Sequence, residues 1–131
     1  MIDTISEVAT QGVSVRVTSR YLPDRSEPDQ GQWFFVYTAR ITNEGPVTVQ
    51  LLSRHWVITD ARGHIEEVQG PGVVGVQPTL KPGQAFEYTS FCPLGTSSGT
   101  MQGTFEMVSE AGDRFDAVVA PFLLSEEMEF S

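Results

Sequence analysis

Apolar and polar side chains alternate along most of the chain, which is the pattern of β-strands with one buried face. The segment VSVRVTSR at 13–20 shows it clearly, because every second residue from Val13 to Val17 is a valine. The same two-residue period recurs at 32–43, 85–92, 101–109 and 114–120. A sustained apolar stripe with the 3.6-residue period of an amphipathic helix is missing. The pattern predicts an all-β protein.

The alternation changes phase once, in VTVQLLSRHWVITD at 47–60. Val49 and Leu51 share one parity, whereas Trp56 and Ile58 fall on the other. One extra residue in a strand moves the following side chains to the opposite face. We therefore predict either a β-bulge near Leu51–Ser53 or a bend by which the strand changes sheets, and a buried Trp56.

Turn sequences separate the predicted strands at fairly even intervals. They combine glycine, proline and acidic residues, as short connections require, at 43–46, 60–63, 81–84 and 110–113. About seven short strands with such spacing indicate an immunoglobulin-like or fibronectin type III-like β-sandwich. We expect a single domain over residues 1–131, with mobile ends at roughly 1–10 and 125–131.

The net charge of the chain argues against nucleic acid as a partner. Eight lysines and arginines stand against 17 aspartates and glutamates, a net charge of −9. Such a field repels a phosphate backbone, so we predict that the chain does not bind nucleic acid.

Cellular location is indicated by the lone cysteine and by the absence of targeting signals. Cys92 cannot form an intramolecular disulfide and is expected to be a small buried side chain in a cytoplasmic protein. The N-terminal residues do not resemble a signal peptide, and no apolar run approaches the ~20 residues that span a bilayer. We expect no membrane association.

The segment GPGVVG at 70–75 matches G-x-G-x-x-G. A dinucleotide-binding fold needs a helix after these glycines, but Pro78 and Pro82 exclude one. Two interpretations remain. The glycines form turns and bulges with Val73, Val74 and Val76 pointing inward, which we favour. Alternatively, backbone N–H groups bind a small phosphate ligand together with a nearby cation. That candidate anion site comprises Gly70, Gly72, Val73, Val74, Gly75 and Arg54.

Other chemistry receives little support from the sequence. Asp60, His64 and Glu66 are close together, but a metal site usually requires more converging ligands. Cys92 has no neighbouring base that would activate it. We therefore predict no metal, no cofactor and no catalytic residue. The outer-face residues Phe34 and Val36, with Phe91, are instead expected to form an apolar surface for a protein partner or for a second copy of the chain.

Four segments together resemble the bacterial ApaG family: VQLLSRHWVITDARG, EEVQGPGVVGVQPTLKPGQAFEYTS, GTMQGTFEM and FDAVVAPFLL. The resemblance extends from about Val13 to Leu124. It implies a fibronectin type III-like sandwich, a role as a protein-interaction module without established enzymatic activity, and an indirect link to cobalt resistance and magnesium efflux. It also implies a pyrophosphate contact at Gly70, Gly72 and Gly75. The leading hypothesis is a non-enzymatic interaction domain, and the alternative is a nucleotide or pyrophosphate sensor.

Overall fold

The computed structural model describes residues 4–127. Within this range the chain forms nine strands, which in chain order are β1 (Ile5–Thr10), β2 (Val13–Tyr21), β3 (Trp33–Asn43), β4 (Val49–Asp60), β5 (Ile65–Pro71), β6 (Thr79–Leu80), β7 (Ala85–Leu94), β8 (Ser98–Ser109) and β9 (Arg114–Ser125). Two single-turn 3₁₀ segments, Pro23–Arg25 and Pro28–Gln30, lie between β2 and β3. No helix in residues 4–127 has the length and apolar character needed to cross a bilayer.

The strands form two antiparallel sheets packed face to face. The first sheet has the order β1-β2-β3-β7, and the second has the order β5-β4-β8-β9 with β6 also paired to β4. The predicted all-β sandwich is confirmed. Among the described residues the strand count exceeds the expected seven because of β1 and the two-residue β6.

The start of the chain corrects a sequence-based boundary. The sequence predicts a mobile end at roughly 1–10, but Ile5–Thr10 pairs with β2 along its whole length. The alternation was misleading here, because Ser6 is buried while Ile5 is exposed. At the other end, Ser125 still belongs to β9. Residues 1–3 and 128–131 lie outside the described part of the chain.

The core fills the space between the inner faces of the two sheets. Every second residue of β3 is buried, as the alternation predicts, namely Phe35, Tyr37, Ala39 and Ile41. Trp56 is 2% exposed and stands at the centre, with the ring centroids of Tyr37, Phe105 and Phe122 at 5.3, 5.7 and 6.1 Å. The prediction of a buried Trp56 is confirmed.

Of the two predicted explanations for the phase change in β4, the structure contains the bulge. The pairing of β4 with β8 changes register between Leu51 and Ser53, so Leu52 is the extra residue. Leu51 and Trp56 consequently both face the core in spite of their opposite parity. The bulge lies beside the glycine segment, because the Leu52 carbonyl accepts a hydrogen bond from the N–H of Gly72 at 2.8 Å.

One long side of the sandwich is closed by the packing of β9 against β1 and β2. The N–H of Val118 donates to Oγ1 of Thr10 at 3.1 Å, and the Ser19 hydroxyl donates to the Leu123 carbonyl at 2.7 Å. The strands β5 and β7 are the far ends of the two sheets. The glycine segment and Cys92 therefore belong to the side away from this closure.

Candidate functional site

The glycine segment ends β5 and forms a tight two-residue hairpin. The N–H of Val73 donates to the Val76 carbonyl at 2.8 Å, and the N–H of Val76 donates back at 2.9 Å. Val74 and Gly75 between them have φ of 43° and 83°. Positive φ at both central residues defines a type I′ turn. At Gly72 a Cβ atom would overlap the Val76 carbonyl, so glycine is required there for close approach as well as for its φ of 63°.

The hairpin determines which backbone N–H groups of the predicted anion site are available to a ligand. The N–H groups of Gly72 and Val73 donate to the carbonyls of Leu52 and Val76, so they do not point into solvent as an anion-binding pair. The N–H groups of Val74 and Gly75 stand outside this pairing at the tip.

The expectation that all three valines point inward is correct only for Val73, which is fully buried. Val74 is 57% exposed and Val76 is exposed too. A type I′ turn places its central residues at the tip, where no core is available to cover them.

Arg54 lies against the glycine segment, as the candidate site requires. Its Nη1 donates to the carbonyls of Pro71 and Gly72 at 3.1 and 3.0 Å. A Cβ atom on Gly70 would stand 3.1 Å from both guanidinium nitrogens, so this glycine leaves room for the arginine. In residues 4–127 no carboxylate lies within 4.0 Å of the Arg54 guanidinium. Arg54 therefore fastens the hairpin through carbonyl groups and keeps an uncompensated charge.

The same charge acts on two buried tyrosines. Burial raises the pKa of Tyr37 and of Tyr88 above the ordinary tyrosine value, and the positive charge of Arg54 works in the opposite direction on both. Arg54 thus combines hydrogen bonds to the glycine hairpin with an electrostatic influence on these two tyrosines.

A groove of about 510 Å³ crosses the outer face of the second sheet beside Arg54. Its lining is polar and consists of Ser53, Arg54, His55, Gln69, Gly70, Thr104, Glu106 and Asp116. His55 Nε2 is 2.8 Å from Oε1 of Glu67, and the Ser53 hydroxyl is 3.1 Å from Oε1 of Glu106. Glu106 and Asp116 thus place two carboxylates in the lining of the groove, which opposes the entry of an anion.

The sequence cluster of Asp60, His64 and Glu66 has a structural use. Oδ1 of Asp60 accepts hydrogen bonds from the N–H groups of Arg62 and His64, both at 2.9 Å, and so holds the turn. His64 and Glu66 line a small cavity of about 60 Å³. Within residues 4–127, no three histidine, cysteine, aspartate or glutamate side chains are arranged to hold a metal ion.

Cys92 is buried on the inner face of β7, as expected. Burial, together with the negative charge of Glu66, raises the pKa of its thiol to about 12. A nucleophilic cysteine needs a lowered pKa, so the environment of Cys92 opposes such a role.

The raised pKa of Cys92 predicts a loss of stability in alkali. The unfolded thiol releases its proton near 9.0, and the folded thiol releases it only near 12. The unfolded state therefore binds fewer protons between these values, and the free energy of unfolding should fall by up to about 1.4 kcal/mol per pH unit. Urea unfolding between about pH 8 and pH 10 measures this slope. In Cys92→Ala the slope should be shallower, and equal slopes would show that the thiol does not contribute.

A second candidate site lies on the outer face of the first sheet, where Phe34, Val36 and Phe91 were expected to form an apolar surface. The rings of Phe34 and Phe91 have centroids 5.7 Å apart, and Val36 stands opposite Phe91 in the β3–β7 pairing. Phe91 is 48% exposed. The guanidinium of Arg25, from the first 3₁₀ segment, lies 5.4 Å from the Phe91 ring centroid. We refer to these four residues as the aromatic surface.

Arg25 was not identified from the sequence. It belongs to the irregular connection between β2 and β3, and its contact with Phe91 joins residues 66 positions apart (91 − 25). A cation within ~6 Å of an aromatic ring is attracted to it, but sequence spacing carries no signal of such a pair.

The strained tip of the hairpin predicts an unusual stabilising substitution. A β-branched residue at positive φ costs about 1–2 kcal/mol, and the exposed side chain of Val74 gains little burial in return. Val74→Asn should therefore raise the free energy of unfolding by about 1 kcal/mol, because asparagine is favoured in type I′ turns. Urea unfolding followed by tryptophan fluorescence measures the change. Val76→Asn is the matched control at an exposed position without positive φ, and an equal gain there would contradict the role of strain.

Comparisons with known proteins agree along nearly the whole chain. A family model described as the ApaG domain matches residues 23–109. Protein ApaG of Anaeromyxobacter sp. (strain K) is 54% identical over 120 residues, covering 92% of this chain and 94% of that protein. Protein ApaG of Beijerinckia indica is 51% identical over 115 residues, 88% of each chain. The crystal structure of the ApaA protein of Bordetella pertussis has a TM-score of 0.85 and 48% identity, covering 95% of this chain and 97% of that one.

Proposed function

Because the chain belongs to the ApaG family, we propose that it is a non-enzymatic cytoplasmic domain that binds another protein through its aromatic surface. The contact of the exposed Phe91 with the partly buried Phe34, with Arg25 over the Phe91 ring, is the observation that carries the proposal. Aromatic residues and arginine are enriched in protein interfaces and among the residues that dominate binding energy. The pair stands on a sheet, which holds it rigid before binding and so reduces the entropy lost on association.

The surroundings of the reactive side chains support a non-enzymatic role. Burial keeps the Cys92 thiol protonated, and His55 is paired with Glu67. The link to cobalt and magnesium that the family resemblance implies is then indirect. In this proposal it acts through the protein that docks on the aromatic surface.

Photo-crosslinking from one position tests this proposal. Phe91 is replaced by the photoreactive aromatic residue p-benzoylphenylalanine in the native host, and the same residue is placed at Val118 as a control. Val118 is 41% exposed on the other sheet, so the two positions offer similar access.

We expect one discrete adduct from position 91, which Phe34→Ser reduces strongly. Equal adducts from both positions, or none from position 91, would contradict the proposal. An adduct with the mass of two chains would identify a second copy as the partner.

The alternative function is the binding of a nucleotide or pyrophosphate beside the glycine hairpin. One observation favours it, namely that Arg54 has no carboxylate within salt-bridge distance in residues 4–127. Titration with ATP and with pyrophosphate, each with and without Mg²⁺, tests it by backbone-amide NMR. Saturable shifts at residues 70–75 that disappear in Arg54→Met would support the alternative. Unchanged amides at millimolar ligand would exclude it.

A further inference from the structure

The outer face of the first sheet carries a cluster of arginines, although the chain as a whole is acidic. Four of the eight basic residues lie on or beside it, namely Arg16, Arg20, Arg25 and Arg40. Arg16 stands directly opposite Arg40 in the β2–β3 pairing, and Arg20 stands opposite Val36 of the aromatic surface. Like charges placed opposite each other destabilise a sheet. On the strands of this face three arginines stand against Glu7 and Glu87, and the connection that supplies Arg25 also carries Asp24, Glu27 and Asp29. The arginines are therefore a local cluster of positive charge among acidic residues, in a chain of net charge −9.

Among the described residues, only one of these four arginines forms a salt bridge. Arg40 lies 3.6 Å from a carboxylate oxygen of Glu87, with both side chains more than half exposed. Arg16, Arg20 and Arg25 have no carboxylate within 4.0 Å in the described part of the chain. The outer face of the second sheet carries the opposite sign, with Glu67, Glu106 and Asp116.

The arginines stand in rows that follow the strands. Arg20, Val36 and Phe91 form one row across three strands, and Arg16, Arg40 and Glu87 form another four residues further along β3. An extended strand rises about 3.3 Å per residue, so the rows are about 13 Å apart. A groove of about 430 Å³ lies between them, lined by Thr18, Ser19, Arg20, Val36, Thr38 and Thr89.

On the basis of the proposed function, we infer that the partner of the aromatic surface is an acidic, extended peptide segment with one apolar anchor. The anchor packs on Phe91 and Phe34, and a carboxylate beside it meets Arg20 and Arg25. A second carboxylate, about four residues away in the segment, meets Arg16 and Arg40. The groove between the rows takes the intervening backbone.

A single-stranded nucleic acid also stacks on aromatic residues beside arginines, but the structure favours the peptide. Glu87 and Glu7 stand in the same cross-strand row as Arg16 and Arg40. The arginine cluster is therefore bounded by acidic residues on both sides. A polymer with a charge on every nucleotide extends beyond such a patch into repulsive surroundings, whereas a short acidic segment does not.

Peptide titrations followed by backbone-amide NMR test the inference. The probe is a short peptide with glutamates on both sides of one phenylalanine. Its two controls replace either the glutamates with glutamine or the phenylalanine with serine, and oligothymidylate provides the nucleic-acid comparison. We expect saturable shifts at Val36, Thr38 and Phe91 from the acidic phenylalanine peptide, which weaken as salt is added. Equal binding of the glutamine peptide, tighter binding of oligothymidylate, or no shift at millimolar peptide would overturn the inference.

Charge-reversal variants separate a local effect from a change in net charge. Arg20→Glu with Arg25→Glu should weaken the acidic peptide by about tenfold or more. The matched control is Arg62→Glu with Arg114→Glu, which makes the same charge change away from this face. If both pairs weaken binding equally, the local inference is wrong. An adduct at position 91 that persists while the acidic peptide fails would leave the proposed function standing and reject only the partner class.

Discussion

Trp56→Ala should lower the free energy of unfolding by about 3–5 kcal/mol. Trp56 is 2% exposed and packs edge-on against Tyr37, Phe105 and Phe122, which come from both sheets. Removing the indole takes away its buried apolar area and leaves a cavity that the surrounding rings only partly fill. Because a domain is stable by only about 5–15 kcal/mol, the loss is a large part of the total.

Urea unfolding followed by circular dichroism measures the change without relying on tryptophan fluorescence. Trp56→Phe keeps a ring in the core and should be destabilised less than the alanine variant. Ile65→Ala is the surface control, since Ile65 is 59% exposed, and it should change stability by less than about 0.5 kcal/mol. A loss at Trp56 no larger than that at Ile65 would show that the core is organised differently.

Gly103→Ala should destabilise the protein by more than the ~1–3 kcal/mol typical of an overpacked core. Gly103 stands opposite Trp56 in the β4–β8 pairing, at the point where β8 and β9 also change register. A Cβ atom there would overlap the carbonyl oxygen of His55 and lie 3.1 Å from the Trp56 Cα atom. These are backbone atoms, so two central strands must separate to make room.

Gly95→Ala provides the matched control for this substitution. A Cβ atom on Gly95 meets no heavy atom within 4 Å, and its backbone is outside the positive-φ region. We expect its stability to stay within about 0.5 kcal/mol of the parent, measured by the same urea titration. If Gly103→Ala were equally well tolerated, the close approach of β4 and β8 would not limit the sequence at this position.

The strands could be predicted wherever one face is buried and the other is exposed to solvent, because apolar and polar residues then alternate. The phase change around Leu51–Ser53 even located the bulge, because a two-residue period makes one extra residue visible. The strand β1 could not be predicted in this way, because Ser6 is buried and Ile5 is exposed. Residues 5–10 form a strand because they pair with β2, and the pattern of apolar residues gives no sign of this pairing.

The candidate sites were harder to predict from the sequence, because they depend on contacts between residues that are far apart in the chain. The motif at 70–75 was correctly rejected as a dinucleotide loop, but its hairpin was not foreseen. Type I′ turns usually carry asparagine and glycine, whereas this one carries Val74 and Gly75. Likewise, Phe34 and Phe91 were placed on one surface by parity, yet Arg25 reaches them from an irregular loop.

The packing of β9 against β1 has a consequence for biosynthesis. The last described strand packs against the first two, since Val118 bonds to Thr10 of β1 and Leu123 bonds to Ser19 of β2. A ribosome releases the N-terminal strands long before β9 emerges, and until then the inner face of β2 lacks its cover. Long-range pairing of this kind also slows folding. The nascent chain therefore has a period in which its apolar strands are available to chaperones, and that period ends only when residues 114–125 have left the exit tunnel.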